Sequence, residues 1–194
     1  MLKEFFFKLF LILLIVWTAT LNLSNIGATM EFLYAPWRGS YIKQSTTQEC
    51  PFCNKIQQEN DRENLLLKRY RYCAVFMNKF PYNKGHLLII PYMHTKNIYE
   101  LRAEERNEII EVTAQIIKII EAQLNTQGIN VGMNIGKVSG GSIEDHLHIH
   151  IIPRFLGDTN FLAVTGQTKV ITYDIMNLYD QLYSLFNKNN NIDF

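Results

Sequence analysis

The chain is 194 residues long, with 47% apolar, 19% charged and 12% aromatic side chains. That fits one domain with an appendage and excludes wholesale disorder and collagen-like repeats. Nineteen Lys and Arg against eighteen Asp and Glu leave a formal charge of +1, so no broad positive field gathers nucleic acid.

The charge is unevenly placed. Residues 1–29 carry only Lys3, Glu4 and Lys8, so residues 30–194 hold 17 basic and 17 acidic side chains and are neutral. Residues 9–21 are apolar except for Thr18 and Thr20. A basic start and a short apolar run have the proportions of a signal-peptide core, whereas a spanning helix needs about 20 apolar residues. Three readings stay open for residues 1–29: a cleaved signal, an uncleaved membrane anchor, or spurious translation upstream of a true start at Met30. They leave the chain cytoplasmic, or else anchored or exported through this segment, with a membrane as partner only if the anchor is genuine.

Past Met30, Glu31 to Arg38 is aromatic and irregular, and Pro36 prevents regular helix. Cys50-Pro51-Phe52-Cys53 is expected to form a turn. Residues 72–78 and 86–91 read as strands, separated by the turn residues Pro81-Tyr82-Asn83-Lys84-Gly85. Residues 103–124 place Ile109, Val112, Ile116, Ile117, Ile120 and Leu124 on one helical stripe. Gly128 just beyond suits a left-handed helix end.

Residues 131–135 are expected as a short strand, and Gly136-Lys137-Val138-Ser139-Gly140-Gly141-Ser142 as a flexible loop. Residues 146–153 form the next strand, and 173–187 a C-terminal helix capped by Thr172. Residues 189–194 make a frayed polar tail. There are no internal repeats. Strands interrupted by one long helix imply an α+β fold with a mainly antiparallel sheet.

The strongest signal is His146-Leu147-His148-Ile149-His150-Ile151-Ile152-Pro153. Side chains alternate across a strand, so the three histidines share one face and Leu147, Ile149 and Ile151 the other. The chain has five histidines, and three of them at strict alternation point to chemistry. An imidazole face can bind metal, or it can attack phosphorus with a neighbouring group donating protons. Gly140, Gly141 and Ser142 offer close backbone approach, amide donors and a hydroxyl, all suited to phosphate oxygens.

The histidine strand resembles the signature of the histidine triad (HIT) family of nucleotide hydrolases and transferases. The stretch from Asn78 through Gly85-His86 to Pro91 resembles the family's first hairpin. Gly132-Met133-Asn134-Ile135-Gly136, Gly157-Asp158-Thr159-Asn160-Phe161 and Tyr34-Ala35-Pro36-Trp37-Arg38 are most similar to the bacterial diadenosine tetraphosphate phosphorylase-like branch. The similarity covers about residues 30–170. It implies a HIT-like domain over 30–188 with a roughly five-stranded antiparallel sheet, one long helix and one or two shorter ones, and a homodimer.

The resemblance also implies roles. His148 attacks the α-phosphorus of a dinucleoside polyphosphate and forms a nucleotidyl-histidine, which phosphate or water then resolves. His150 and Ser142 bond phosphate oxygens or the leaving group. Asn78 takes a ribose hydroxyl or else shapes the turn, Asn134 contacts ligand or loop, and His86 supports the site. Phe155 stands where many members of the branch have tryptophan. Other functions carried alongside are hydrolysis of nucleoside phosphoramidates or monophosphate esters, and a nucleotide-binding regulatory module.

Cys50 and Cys53 have metal-ligand spacing, but one such pair is half a site. By resemblance, His94 and His146 complete a structural zinc set. A thioredoxin-like redox pair is the weakest alternative, since no helix clearly begins at Cys53 and the surroundings lack that fold; a pair holding no metal is the other. Cys73, inside an apolar strand, reads as a small core residue.

Overall fold

The computed structural model describes residues 49–141, 143–158, 165 and 172–188. The expectations for residues 1–48, Ser142 and 189–194 lie outside the described residues. Helix α1 (Pro51–Gln57) corrects the turn expected at the Cys-Pro-Phe-Cys segment. Proline at the first helical position loses no intrahelical bond, and its φ is already set for helix. The absence of a nearby helix start therefore no longer argues against a redox pair, whereas the lack of a thioredoxin-like fold around it still does.

Strands β1 (Leu66–Arg69), β2 (Cys73–Met77) and β3 (Leu87–Pro91) follow. A 3₁₀ turn (Ile98–Glu100) leads into α2 (Ala103–Leu124). Next come β4 (Gly128–Met133), a second 3₁₀ turn (Lys137–Ser139), β5 (Ile149–Arg154) and α3 (Ile175–Lys188). The five strands make one antiparallel sheet in the order β1-β2-β3-β5-β4, as the α+β reading requires. Among the described residues no helix is long and apolar enough to cross a membrane.

Several boundaries differ from expectation. Helix α2 ends at Asn125, which takes the left-handed conformation (φ +49°), while Gly128 opens β4. Asparagine tolerates that region better than other side-chain-bearing residues. Helix α3 is capped by Asp174, whose carboxylate accepts the Asn177 N–H at 2.7 Å, not by Thr172. The ladder of β5 starts at Ile149; upstream of it, Leu147 N–H donates to the Thr95 carbonyl at 2.6 Å. Gly85 must be glycine: its φ is +76°, and a Cβ there would lie 2.5 Å from Leu124 Cδ1.

The registers sort the sheet into two faces. Cys73, Val75, Met77, Leu87, Ile89, Leu147, Ile149 and Ile151 pack with Ile109, Val112, Ile116 and Ile120 of α2 and Leu178, Tyr179, Leu182 and Phe186 of α3. On the opposite face Phe76 pairs with Leu88, Leu88 with His150, and His150 with Gly132. There Phe52 of α1 joins Leu66, Ala74, Phe76, Leu88 and Ile90 in a smaller cluster. The histidines stand beside that cluster, on the face away from α2 and α3.

Candidate active site and metal centre

His146, His148 and His150 are all buried, and their hydrogen bonds fix which nitrogen carries each proton. His148 Nδ1 lies 2.9 Å from the His146 carbonyl. A carbonyl only accepts, so Nδ1–H donates and Nε2 keeps its lone pair. Burial pushes the His148 imidazole below its ordinary pKa, partly opposed by that carbonyl bond. A neutral imidazole with a bare Nε2 is a competent nucleophile.

His150 is held the other way round. Tyr82 N–H donates to His86 Nδ1 at 3.1 Å, so the proton of neutral His86 sits on Nε2. That nitrogen donates to His150 Nδ1 at 2.9 Å, which leaves the His150 proton on Nε2. Burial, then the neighbouring His150 and His148, lowers the His86 pKa to about 3, so His86 stays neutral through the physiological range. The His148 and His150 rings meet edge-on with centroids 4.8 Å apart. One ring thus offers a lone pair beside another that offers a proton.

The third ring faces elsewhere. His146 Nε2–H donates to the Pro91 carbonyl at 2.9 Å, which leaves Nδ1 bare. That nitrogen lies 3.3 Å from Cys50 Sγ and 3.5 Å from Cys53 Sγ. His94 Nδ1 is 3.3 Å from Cys53 Sγ. The four ligand atoms lie within 4.8 Å of one another, so Cys50, Cys53, His94 and His146 form a possible metal-binding site. Tetrahedral bonds of about 2.0–2.3 Å separate sulfur and nitrogen ligands by about 3.5 Å, and the donor set suits a borderline-soft ion. Without a cation among them, burial and the adjacent Cys50 push the Cys53 thiol up to about 11; a bound metal favours the thiolate.

The other expected residues divide. Asn78 stands beside the relay, its amide nitrogen 3.3 Å from His86 Nδ1, and its Oδ1 accepts the Phe80 N–H at 2.9 Å; a turn-shaping role is therefore present in the structure. Asn134 and Gly141 pack together, since a Cβ on Gly141 would meet the Asn134 Cβ at 3.3 Å. Gly140 has φ +83°, the conformation that lets the loop turn before the histidines. Ser142 lies outside the described residues.

Two contributors were missed. Phe52 meets His146 and His148 edge-on, with centroids 5.7 and 5.1 Å apart. Tyr82 stacks over His150 at 6.0 Å and tilts on His86 at 4.9 Å. Phe52 sits between the two cysteines, and Tyr82 four residues before His86. Those positions are the only trace either leaves in the sequence.

Comparison with known proteins agrees with this geometry. The chain is 33% identical over 150 residues to a Mycobacterium tuberculosis protein named AP-4-A phosphorylase, which spans 73% of this chain and 77% of that one. The fold is similar to that of a Zn-bound histidine triad family protein from Mycobacterium smegmatis (TM-score 0.58, 22% identity, 72% of this chain and 94% of that one). It is also similar to a hypothetical histidine triad nucleotide-binding protein from Sulfolobus tokodaii (TM-score 0.57, 26% identity, 72% and 90% covered). The family model described as HIT domain matches residues 59–157, a span that holds His86, His94 and all three strand histidines, and the chain belongs to the HIT domain family.

Proposed function

We propose that this protein is a nucleotidyl hydrolase or transferase that cleaves dinucleoside polyphosphates at the α-phosphate, by phosphorolysis. The observation that carries the reading is the opposed tautomers of His148 and His150. His148 Nε2 attacks the α-phosphorus, the bond to the leaving phosphate oxygen breaks, and His150 Nε2–H protonates that oxygen. Inorganic phosphate then takes the nucleotidyl group from His148. His86 holds His150 in the donating tautomer. Gly140, Gly141 and Ser142 supply donors to the phosphate oxygens as charge develops, and Asn78 and Asn134 contact the nucleotide. The relative named AP-4-A phosphorylase supports diadenosine tetraphosphate as the substrate to test first.

A body with no net charge handles a polyanion through these local groups, without a broad basic surface. Zinc at Cys50, Cys53, His94 and His146 is structural in this reading; when bound, it crosslinks α1 to the segments carrying His94 and His146. In this reading the domain works in the cytoplasm, where nucleotide substrates are held and cysteines stay reduced, unless residues 1–29 anchor or export it. The same reading makes the chain a homodimer, as the family resemblance implies; sedimentation of the purified protein as a monomer at micromolar concentration removes that part of it.

The deciding assay incubates the protein with diadenosine tetraphosphate, with and without inorganic phosphate. Phosphate-dependent ADP plus ATP is the expected result. AMP plus ATP without phosphate makes the enzyme a hydrolase, and no turnover under either condition refutes the assignment.

A further inference from the structure

We propose that the Cys50–Cys53–His94–His146 cluster, when it holds a divalent ion such as zinc, positions His148 for attack through the His146 carbonyl and Phe52, so that metal loss disables the triad without unfolding the domain. This rests on the assignment of His148 as nucleophile and gives the metal a role beyond anchoring.

His146 belongs to both sites. Its ring is held by Pro91 through Nε2 and faces the thiols through Nδ1, while its carbonyl receives the His148 Nδ1 proton. A metal ion on Nδ1 completes the clamp on that ring and limits rotation of the residue whose carbonyl sets the His148 tautomer. The pattern matches the way outer groups orient a metal-bound imidazole, run in reverse from metal to nucleophile. The peptide between these two histidines is tied to the same cluster, since Leu147 N–H donates to Thr95, the residue after His94.

Phe52 supplies the second route. It is the one buried residue of α1, whose N-cap is Cys50 and whose first turn contains Cys53. A metal that draws in both thiols fixes that turn and presses the Phe52 ring against His148. The far end of α1 is held independently, by Arg69 donating to the carbonyls of Ile56 and Gln58. The main core under α2 and α3 includes neither Cys50 nor Cys53, nor Phe52, His94 or His146, and of the segment from His146 to His148 takes in only Leu147. Losing the ion therefore loosens the first turn of α1 and the His146 ring, and leaves the domain folded.

The test uses the full chain labelled with ring-¹⁵N histidine, stripped with a chelator and reloaded with zinc. In the loaded form His148, assigned by its loss in His148→Gln, shows a protonated Nδ1 and a bare Nε2. After stripping, His148 averages its tautomers, the His86 and His150 signals stay in place, thermal unfolding remains cooperative, and reloading restores the first spectrum. His148 signals that ignore stripping overturn the proposal, as does failure to take up stoichiometric zinc. In zinc-loaded Phe52→Leu, zinc content is retained, kcat falls about 10- to 100-fold and KM stays within about threefold, as for a misplaced reacting group; an unchanged kcat overturns the Phe52 route. If the wild-type chain turns over no nucleotide, the proposed activity fails alone, because the nitrogen spectra need no substrate.

Discussion

Under α2 and α3 the strands present Val75, Met77, Leu87, Ile89, Ile149 and Ile151, all apolar and buried. One residue along each strand, on the other face, the same sheet presents Leu88, His148 and His150, with Phe52 and Tyr82 against the imidazoles. Both faces bury their strand residues, yet one is filled by dispersion and the other by rings whose mutual hydrogen bonds decide where each proton sits. The helix-covered face can lose a methylene and remain folded at a graded cost. The histidine face behaves as a set of single contacts, in which one bond, to a carbonyl or to a neighbouring ring, sets each tautomer. The period of 2 along β5 lets one strand serve both.

The largest effect expected from disturbing this arrangement is on the histidine face and leaves the other untouched. His148→Ala removes the attacking nitrogen, and turnover falls by at least about 10³-fold, about 4 kcal/mol of barrier. Nucleotide affinity stays within about tenfold, and the unfolding midpoint barely moves. Retained turnover in that variant sinks the nucleophile assignment.

The converse experiment targets the helix-covered face. Ile116 is fully buried beneath the sheet, and Ile116→Ala should cost about 2–5 kcal/mol of stability through lost burial and a residual cavity. Turnover per folded molecule, measured well below the unfolding midpoint, should match the wild type. Impaired turnover per folded molecule would mean that the two faces are coupled through the sheet.

Acid sharpens the comparison, because only the histidine face titrates as a row of buried imidazoles. The His86 pKa of about 3 in the folded protein lies below about 6.5 in an unfolded chain. The unfolded chain therefore holds the extra proton between those values. The stability that neutral His86 contributes is fully present above pH 6.5 and is lost as pH falls toward 3. The loss is about 2 kcal/mol between pH 7 and pH 5. Urea unfolding of zinc-loaded wild type and His86→Gln at both pH values isolates it: the wild type should lose about that much more than the variant. Equal losses would show that His86 is solvated or already protonated.

How legible each face was follows from the same physics. The stripe on α2 recurs over 22 residues, and the alternation through His146, His148 and His150 is strict, so periodicity reveals both. Helix α1 has seven residues, too few for a stripe, and its proline reads equally as a turn or a first helical residue. Strand β1 has four residues and is entered through Leu65 at φ +59°, a conformation that composition does not announce. That Cys50, Cys53, His94 and His146 come together is legible because ligand chemistry of this kind is confined to few residue types. Phe52 and Tyr82 act through ring contacts, which any aromatic offers, and only tertiary placement distinguishes them.

The smallest effect concerns the helix whose start was misplaced. Asp174 accepts the Asn177 N–H, and its charge sits at the positive end of the α3 dipole. Thr172, the residue expected to cap, lies two residues before Asp174 in the chain, too early to reach the same turn in that way. Asp174→Ala should cost about 1 kcal/mol, and Thr172→Ala should fall within about 0.5 kcal/mol of the wild type, as for a surface change away from a structural feature. Because α3 packs Leu178, Tyr179, Leu182 and Phe186 only on the helix-covered face, neither substitution should alter kcat. A drop in kcat with Asp174→Ala would place α3 within reach of the histidine face and break the separation on which the whole comparison depends.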